Sequence, residues 1–552
     1  MAIKDIEMLF KFVGGLGMFL YGMNAMADGL QKSAGHRMQQ LLGVLTSNRL
    51  LGVLVGAGVT AIIQSSSATT VMVVGFVNAG IINLTQAVGI IMGANIGTTV
   101  TSWLVSMSEW GELLKPEFFA PLLIGVGALM TLFSKNHKKV ELGEILVGFG
   151  VLFIGLSFMS SSIKPYRDAP VFAQAFSILG RNPFLGVLAG AAVTGIIQSS
   201  SASVGILQTL ALNGVVNWQS AIFITLGQNI GTCVTALLSS VGAHKTAKRA
   251  AVIHLLFNVI GALIFGVLMF FVFRTNTSLA LAPINSVEIS IFHTVFNVCN
   301  TVLLFPFAGL LVRASYMIIR DTQKTRQALD AEEEMDRHLD ERILETPSFA
   351  IENVNHEVAN MGRQALDNLR MAAASLIDSD GEKAAQVIEN KEIIHNLDNL
   401  LTDYLVKINN RSLNEEQHLI VKNLFYTVND FKRIADLSEN LAELAGEKIK
   451  NQVGFSGTAL DEIREIVAAA CASVEHAVGA RETGDMSEVR SVIKSEETVD
   501  NLEEELRERH ILRLSNNQCS TENGVIFLDA ISNLERISDH AHNVAGYVMD
   551  EI

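Results

Sequence analysis

Along the first three-fifths of the chain, apolar residues come in long unbroken runs rather than at alternate or helical-face positions. Runs at 9–28, 84–107, 118–134, 143–161, 219–241, 251–273 and 291–316 are each about long enough to cross ~30 Å of hydrocarbon at 1.5 Å per residue. Two further apolar stretches, 50–82 and 183–216, are divided near the middle by a polar tetrapeptide. Each arm is then about 14 residues, too short to span. This pattern predicts a re-entrant helical hairpin whose tip lies inside the protein. Beyond Pro347 the apolar spacing is that of helices to the end, with no strand-like alternation. The predicted fold class is all-α: a polytopic membrane protein with inverted repeats and two re-entrant hairpins, followed by a soluble helical-bundle domain.

The two divided stretches are copies of each other. Residues 52–68, GVLVGAGVTAIIQSSSA, match residues 186–202, GVLAGAAVTGIIQSSSA, at fourteen of seventeen positions. At the same offset Asn95-Ile-Gly-Thr-Thr-Val-Thr101 matches Asn229-Ile-Gly-Thr-Cys-Val-Thr235, and the first spans of the halves align through Gly17/Gly150 and Gly22/Gly155. The membrane part is therefore a duplication. The predicted domains are residues 1–320, with repeat one at about 9–134, repeat two at about 143–273 and an extra span at 291–316, then a charged linker at 321–347, then 348–552. If the hairpins do not cross, each half has three crossings, and an odd number inverts the second half. Positive charges at Lys135, Lys138 and Lys139, at Lys245, Lys248 and Arg249, and at Arg313, Arg320, Lys324 and Arg326 then share one side, as do Arg37 and Arg49. That side is expected to be the cytoplasm, although Lys4, Lys11, Lys164, Arg167 and Arg181 dissent. The acidic loop Glu109–Glu117 falls outside. The expectation is a multi-pass protein of the cell inner membrane with a cytoplasmic tail.

Composition sharpens the division. The net charge of −15 comes from 56 acidic and 41 basic residues, and the acidic excess lies after Arg320. The four cysteines, Cys233, Cys299, Cys471 and Cys519, form no CxxC pair, which argues against a disulfide framework or a zinc site. The first apolar run ends in no clear cleavage pattern and is read as a span, not a signal peptide. No nucleophile–base motif appears, His244, His254 and His293 stand alone, and neither an enzyme nor a nucleic-acid partner is expected.

The chemistry concentrates at the hairpin tips, Gln64-Ser65-Ser66-Ser67 and Gln198-Ser199-Ser200-Ser201. Serines also serve simply to let membrane helices approach, but two matched copies in hairpins too short to cross point to a site. A helix that starts at a tip aims free N–H groups and about +0.5 charge at it, and the arm that ends there offers carbonyls to a cation. Asn95 and Asn229, beside Gly-Thr, predict locally unwound helix. No Asp or Glu occurs between Leu50 and Met107 or between Asn182 and Val287. An anion is then not paired with a proton-relay carboxylate. Divalent phosphate carries about −2, and the two dipoles offset about half of it, so cations must accompany it. Sodium suits hydroxyl, amide and carbonyl oxygens.

These duplicated QSSS and GANIGT/GQNIGT elements resemble the sodium/phosphate cotransporters of the type II class, including their bacterial members, over roughly residues 10–315. The resemblance implies phosphate held by Gln64, Ser65, Ser66, Ser67, Gln198, Ser199, Ser200 and Ser201, lined by Asn95 and Asn229. Sodium as coupling ion would lie near Gln64, Asn95, Thr98, Gln198, Asn229 and Thr232. The halves here are joined by a short basic turn, unlike the large extracellular loop of the animal members. Two other readings stay open: a sodium-coupled carrier of another oxyanion or carboxylate, and a non-transporting phosphate sensor.

The tail is duplicated too. Arg433-Ile434-x-Asp436-x-x-x-Asn440-x-Ala442 matches Arg536-Ile537-x-Asp539-x-x-x-Asn543-x-Ala545, which predicts two three-helix bundles. The region resembles PhoU, the phosphate-uptake regulator, whose E-x-x-x-D motif can hold metal. Glu535 and Asp539 keep that motif on one helix face, and Glu497 and Asp500 could join them around a divalent ion. In the first copy Lys432 and His395 replace acidic residues. Arg–Asp pairing between helices is the alternative. The linker, with Glu332, Glu333 and Glu334, is expected to be a solvated helix. A homo-oligomer or a cytoplasmic regulatory partner is left open.

Overall fold

In the computed structural model the described residues are 3–43, 49–79, 81–109, 116–166, 174, 178–179, 182–320, 339–516 and 518–552. Most of the charged linker, including Glu332–Glu334, Lys324 and Arg326, lies outside them, as do Arg167, Arg181 and the middle of the acidic loop. Among the described residues the chain is helical, with no strand and one isolated bridge, Asn217 to Pro283. It divides into two compact units. Residues through 320 together with Asp340–Ser348 form one, and Leu339 with Phe349–Ile552 form the other.

Among the described residues of the first unit, seven helical segments are long and apolar enough to cross a membrane, at the positions where the apolar runs place them. Large apolar side chains such as Leu132, Phe133, Leu263 and Val302 stand exposed on them, as lipid-facing residues do. Repeat one comprises α1 (Ile3–Gly43), α2 (Arg49–Ile63), α3 (Ser66–Asn78), α4 (Leu84–Ser106) and α5 (Pro116–Phe133). Repeat two comprises α6 (His137–Ile163), α7 (Pro183–Ile197), α8 (Ser200–Leu212), α9 (Trp218–Gly231), α10 (Cys233–Ser239) and α11 (Lys245–Thr275). After the short α12 (Thr277–Leu281), the last membrane segment is α13 (Ser286–Leu304) and α14 (Ala308–Ile318).

The pairs α2/α3 and α7/α8 are the two hairpins. Each first arm packs on the helix that follows the hairpin through glycine. A Cβ at Gly56, Gly93 or Gly97 would stand 2.2, 2.0 or 2.5 Å from a carbonyl oxygen of the facing helix. At Gly190, Gly227 and Gly231 the distances are 2.1, 1.9 and 2.6 Å. These are matched positions, so the glycines of the GANIGT and GQNIGT elements are demanded by backbone approach. Asn83 and Asn217 cap α4 and α9 at matched positions as well.

The inversion can be read from α1 and α6, the first spans of the two repeats. A Cβ on Gly15 meets the Gly155 carbonyl at 2.8 Å, and one on Gly22 meets that of Gly148 at 2.5 Å. Residue number rises along one helix as it falls along the other, so equivalent helices run antiparallel. The duplication exchanges Gly15 with Gly148 and Gly22 with Gly155, and so exchanges the two contacts. This is what a pseudo-two-fold axis across the chain direction produces.

Two sequence expectations are corrected. The helix at Asn95 is not unwound: α4 is continuous from Leu84 to Ser106, and in repeat two only Thr232 interrupts the run, with φ −59° and ψ −27°. The polar side chains satisfy themselves without opening the helix: Asn95 Nδ2 donates to Ile91 O at 2.8 Å and Asn229 Nδ2 to Thr225 O at 2.9 Å. The end of the linker is not solvated either. Ile343 and Leu344 are buried in the first unit. Arg342 Nε donates to Ser239 O at 2.7 Å, and Asn78 Nδ2 donates to Asp340 Oδ2 at 2.7 Å.

The second unit consists of α15 (Pro347–Asp378), α16 (Gly381–Asn409), α17 (Glu415–Lys450), α18 (Gly457–Thr483), α19 (Met486–Ser515) and α20 (Thr521–Glu551). These are two three-helix bundles. The third helices of each, α17 and α20, pack together through Asp430–His540 at 2.6 Å and Asn423 Nδ2 to Tyr547 O at 3.1 Å.

Candidate functional site

The two tips meet. Ser66 Oγ lies 3.3 Å from Ser200 Oγ, a contact between equivalent residues that puts the pseudo-two-fold axis between them. Ser201 Oγ donates to Gln64 O at 3.5 Å, and Thr235 Oγ1 pairs with Ser67 Oγ at 3.2 Å. Inside each hairpin the arms are tied at matched positions, Thr60 to Thr69 at 3.0 Å and Thr194 to Ser203 at 2.8 Å.

Each tip has the same local construction. The first arm closes on a glutamine in left-handed backbone, Gln64 and Gln198 both at φ +56°, whose N–H bonds back to Thr60 O at 2.8 Å or Thr194 O at 2.7 Å. This is the usual left-handed helix terminus, made with glutamine where glycine is cheaper. The next serine caps the second arm: Ser65 Oγ accepts from Ala68 N at 3.1 Å, and Ser199 Oγ from Ala202 N at 3.2 Å. Capping uses a lone pair of Ser65 Oγ and of Ser199 Oγ and leaves both hydroxyl hydrogens to give. The donors of the tips are the first N–H groups of α3 and α8 and the hydroxyls of Ser65, Ser67 and Ser199, with one hydrogen of the Ser66–Ser200 pair, while Ser201 gives its hydrogen to Gln64 O. Two helix N-termini thus converge on one buried spot with no charged side chain, a geometry suited to an anion.

In the helices that follow the hairpins, Thr98 Oγ1 donates to Ala94 O at 2.9 Å and Thr232 Oγ1 to Gln228 O at 3.0 Å. Their hydrogens are spent, so the oxygens can only accept, as can Oδ1 of Asn95 and Asn229. All four residues are buried. Oxygens that can only accept suit a cation better than an anion. The repeats are not identical here. Gln64 is 5% exposed and its Oε1 accepts from Thr101 Oγ1 at 2.9 Å, whereas Gln198 is exposed and Thr235 reaches across to Ser67.

In the tail, the carboxylates that come together are Glu496, Asp500 and Asp539, with ligand atoms all within 4.8 Å of one another. Asp500 and Asp539 are as expected from sequence, but the third member is Glu496, not Glu497, and Glu535 is a charged neighbour. One residue along a helix turns the side chain by about 100°, which the motif spacing alone did not resolve. Burial, then the neighbouring Asp500, raises the Asp539 pKa above the usual carboxylate range. Burial also raises Glu496 and Glu535, and the Asp539 charge adds to the shift of Glu535. The first bundle differs: Lys391 lies 2.5 Å from Glu439, and Lys432 lies 2.5 Å from Asp398. Lysines there fill the place that the second bundle leaves acidic.

An inverted repeat whose two hairpin tips meet inside an apolar helical unit is the architecture of a membrane carrier. The chain belongs to the Na+/Pi-cotransporter family, whose description matches residues 18–161 and 169–286, and it carries a PhoU domain matched at residues 358–445 and 463–548. YjbB of Salmonella typhimurium, named as a proposed inorganic phosphate export protein, is 25% identical over 98% of both chains. The uncharacterized protein YqeW of Bacillus subtilis is 30% identical and aligns over 98% of its own length and 56% of this chain. The human sodium-dependent phosphate transport protein 2B is 34% identical over 20% of this chain and 16% of its own. Among solved structures, the crystal structure of PhoU from Pseudomonas aeruginosa matches 36% of this chain and 95% of its own at 24% identity, with a TM-score of 0.35.

Proposed function

We propose that the chain carries inorganic phosphate across the cell membrane coupled to sodium, with the phosphate between the two serine tips and the tail regulating transport from the cytoplasm. The observation that carries this reading is the Ser66–Ser200 contact, which brings two uncharged helix N-termini to a single buried place. Phosphate at that place accepts from the N–H groups that start α3 and α8 and from the hydroxyls of Ser65, Ser66, Ser67, Ser199 and Ser200, with Ser201 joining when it releases Gln64 O. Sodium ions take the acceptor oxygens of Asn95, Thr98, Asn229 and Thr232 and the carbonyl ends of α2 and α7. They neutralise the charge that the helix dipoles leave over. Of the two places that the resemblance implies for Asn95 and Asn229, lining the phosphate and holding sodium, the sodium place is the one adopted in this reading. In the tail, Glu496, Asp500 and Asp539 hold a divalent ion.

The test is phosphate flux in proteoliposomes with and without a sodium gradient. Ser66→Ala and Ser200→Ala should each weaken phosphate binding by roughly 1–3 kcal/mol, the cost of one lost buried donor. Unchanged affinity in both variants would place the site elsewhere, and flux driven by a proton gradient without sodium would refute the coupling. Net export is a second reading, favoured by YjbB, which aligns over its whole length. Flux measured under opposed gradients decides the direction.

A further inference from the structure

Gln208 lies two turns beyond the serine tip on α8, in the middle of an apolar run, and repeat one has Val74 at the matched position. It is fully buried, as are Ser102, Ser286 and Ser290 around it. Its amide nitrogen stands 3.0 Å from Ser102 O, 3.2 Å from Ser102 Oγ, 3.1 Å from Ser286 O and 2.9 Å from Ser290 Oγ. The oxygens are also close to one another: Ser290 Oγ is 2.9 Å from both Ser102 O and Ser102 Oγ and 3.1 Å from Ser286 O. One point is thus enclosed by four oxygens, two of them main-chain carbonyls, while an amide nitrogen has only two hydrogens to give. Two more oxygens of the same residues, Gln208 Oε1 and Ser286 Oγ, are buried without a partner.

We propose that this cluster is a monovalent-cation site, formed by the C-terminal part of α4, the start of α13 and the second arm of hairpin two. Withdrawal of the Gln208 carboxamide, with Oε1 turned to face the point that Nε2 now holds, opens that point to a cation. Hard cations of this size take six or more oxygens at roughly 2.3–2.6 Å, so the cage closes in by about half an ångström around the ion. Ser102 O and Oγ, Ser286 O and Ser290 Oγ supply four oxygens that already face the point, and the unpartnered Gln208 Oε1 and Ser286 Oγ of the same residues complete six in the proposed site. None of them is a carboxylate, which excludes the heavily charged shell that a divalent ion requires and favours sodium. The start of α13 would repel a cation through its dipole, but Glu109 lies against it: Ser286 N and Val287 N both donate to Glu109 Oε2, at 3.1 and 3.4 Å. The cage is separate from the sodium positions assigned at Asn95, Thr98, Asn229 and Thr232. Its ion would hold α8 of hairpin two against α4 of repeat one and α13. The identity of the ion as sodium rests on the sodium-coupled reading above, whereas the cage itself does not.

The probe is radioactive sodium, counted per detergent-solubilised chain at equilibrium in choline chloride, without phosphate. Gln208→Leu, which keeps the bulk and removes the amide, should bind one sodium fewer than the wild type. Ser286→Ala removes an oxygen that has no hydrogen-bond partner, so in a purely structural network it leaves both folding and sodium binding unchanged. In the proposed site it raises the sodium concentration for half-occupancy several-fold. A Gln208→Leu protein with the full sodium count, or a Ser286→Ala protein with an unshifted midpoint, overturns the site. If Gln208→Leu fails to fold, the Ser286→Ala midpoint decides alone. Sodium-independent phosphate flux in the wild type, with the sodium count and its Ser286→Ala shift intact, refutes the coupling and supports the site.

Discussion

Gln64 and Gln198 occupy a backbone conformation that costs a side-chain-bearing residue roughly 1–2 kcal/mol and costs glycine nothing. A glutamine kept at both tips is therefore there for its amide. Gln198→Gly should leave the melting temperature unchanged or raise it, by up to about 1 kcal/mol in stability, while phosphate flux falls at least about tenfold, the equivalent of one lost hydrogen bond. Differential scanning fluorimetry beside a flux assay checks both. A variant that transports normally would assign the glutamine to the fold alone. The tail carboxylates follow a different logic. The pKa of Asp539 is higher in the folded state than in the unfolded chain, because burial and Asp500 disfavour its charge. Its favourable contribution is thus present below the unfolded pKa and lost as pH rises through the folded value, so at neutral pH the cluster destabilises the tail. Lowering the pH from 7 toward the upper carboxylate range should raise the tail's melting temperature, and Asp539→Asn should raise it at pH 7 while abolishing any gain from added manganese. A melting temperature that falls on acidification across that range would contradict the burial argument.

Helices are placed by the glycines as much as by their apolar faces. Gly93 and Gly227 leave 2.0 and 1.9 Å between a would-be Cβ and a carbonyl on the facing arm, whereas Gly58 in the same hairpin has nothing within 4 Å. Gly93→Ala and Gly227→Ala should each destabilise the membrane unit by roughly 1–3 kcal/mol or more, with Gly58→Ala near neutral as the control. Thermal unfolding in detergent reads the difference, and equal effects at the three sites would show that the close approach does not set stability. The elements themselves were largely legible in the sequence. Run length separates spans from hairpin arms, and the copied QSSS marks where the arms turn. What was not legible depends on how single side chains settle. Asn95 in an apolar run looks like a break, yet a carboxamide can bond to its own helix four residues back and leave the helix whole. Ile343 and Leu344 follow a strongly charged stretch and give no periodic signal before their burial is seen. Gln208 is one polar residue in an apolar arm, and only the convergence of α4, α8 and α13 shows what surrounds it.

In the whole membrane unit, the Ser66–Ser200 contact and the paired glycine contacts of α1 with α6 express one axis that relates two halves of similar sequence. The halves do not adopt the same conformation. Gln64 is withdrawn and bonded to Thr101, while Gln198 is exposed and Thr235 reaches across the axis to Ser67. Near-copies in unlike arrangements predict an alternative state in which each takes the arrangement of the other. In that alternative Gln198 retreats onto Thr235, Thr101 reaches across to Ser201, and Gln64 emerges on the opposite face. Single Gln64→Cys and Gln198→Cys variants in oriented vesicles should therefore react with a membrane-impermeant maleimide in opposite senses. A change in sodium and phosphate that protects one should expose the other, and parallel protection of both would show a motion of another kind. The fold can be read as a palindrome performed in two directions: each half, in the pose it holds, is the portrait of where its twin goes next.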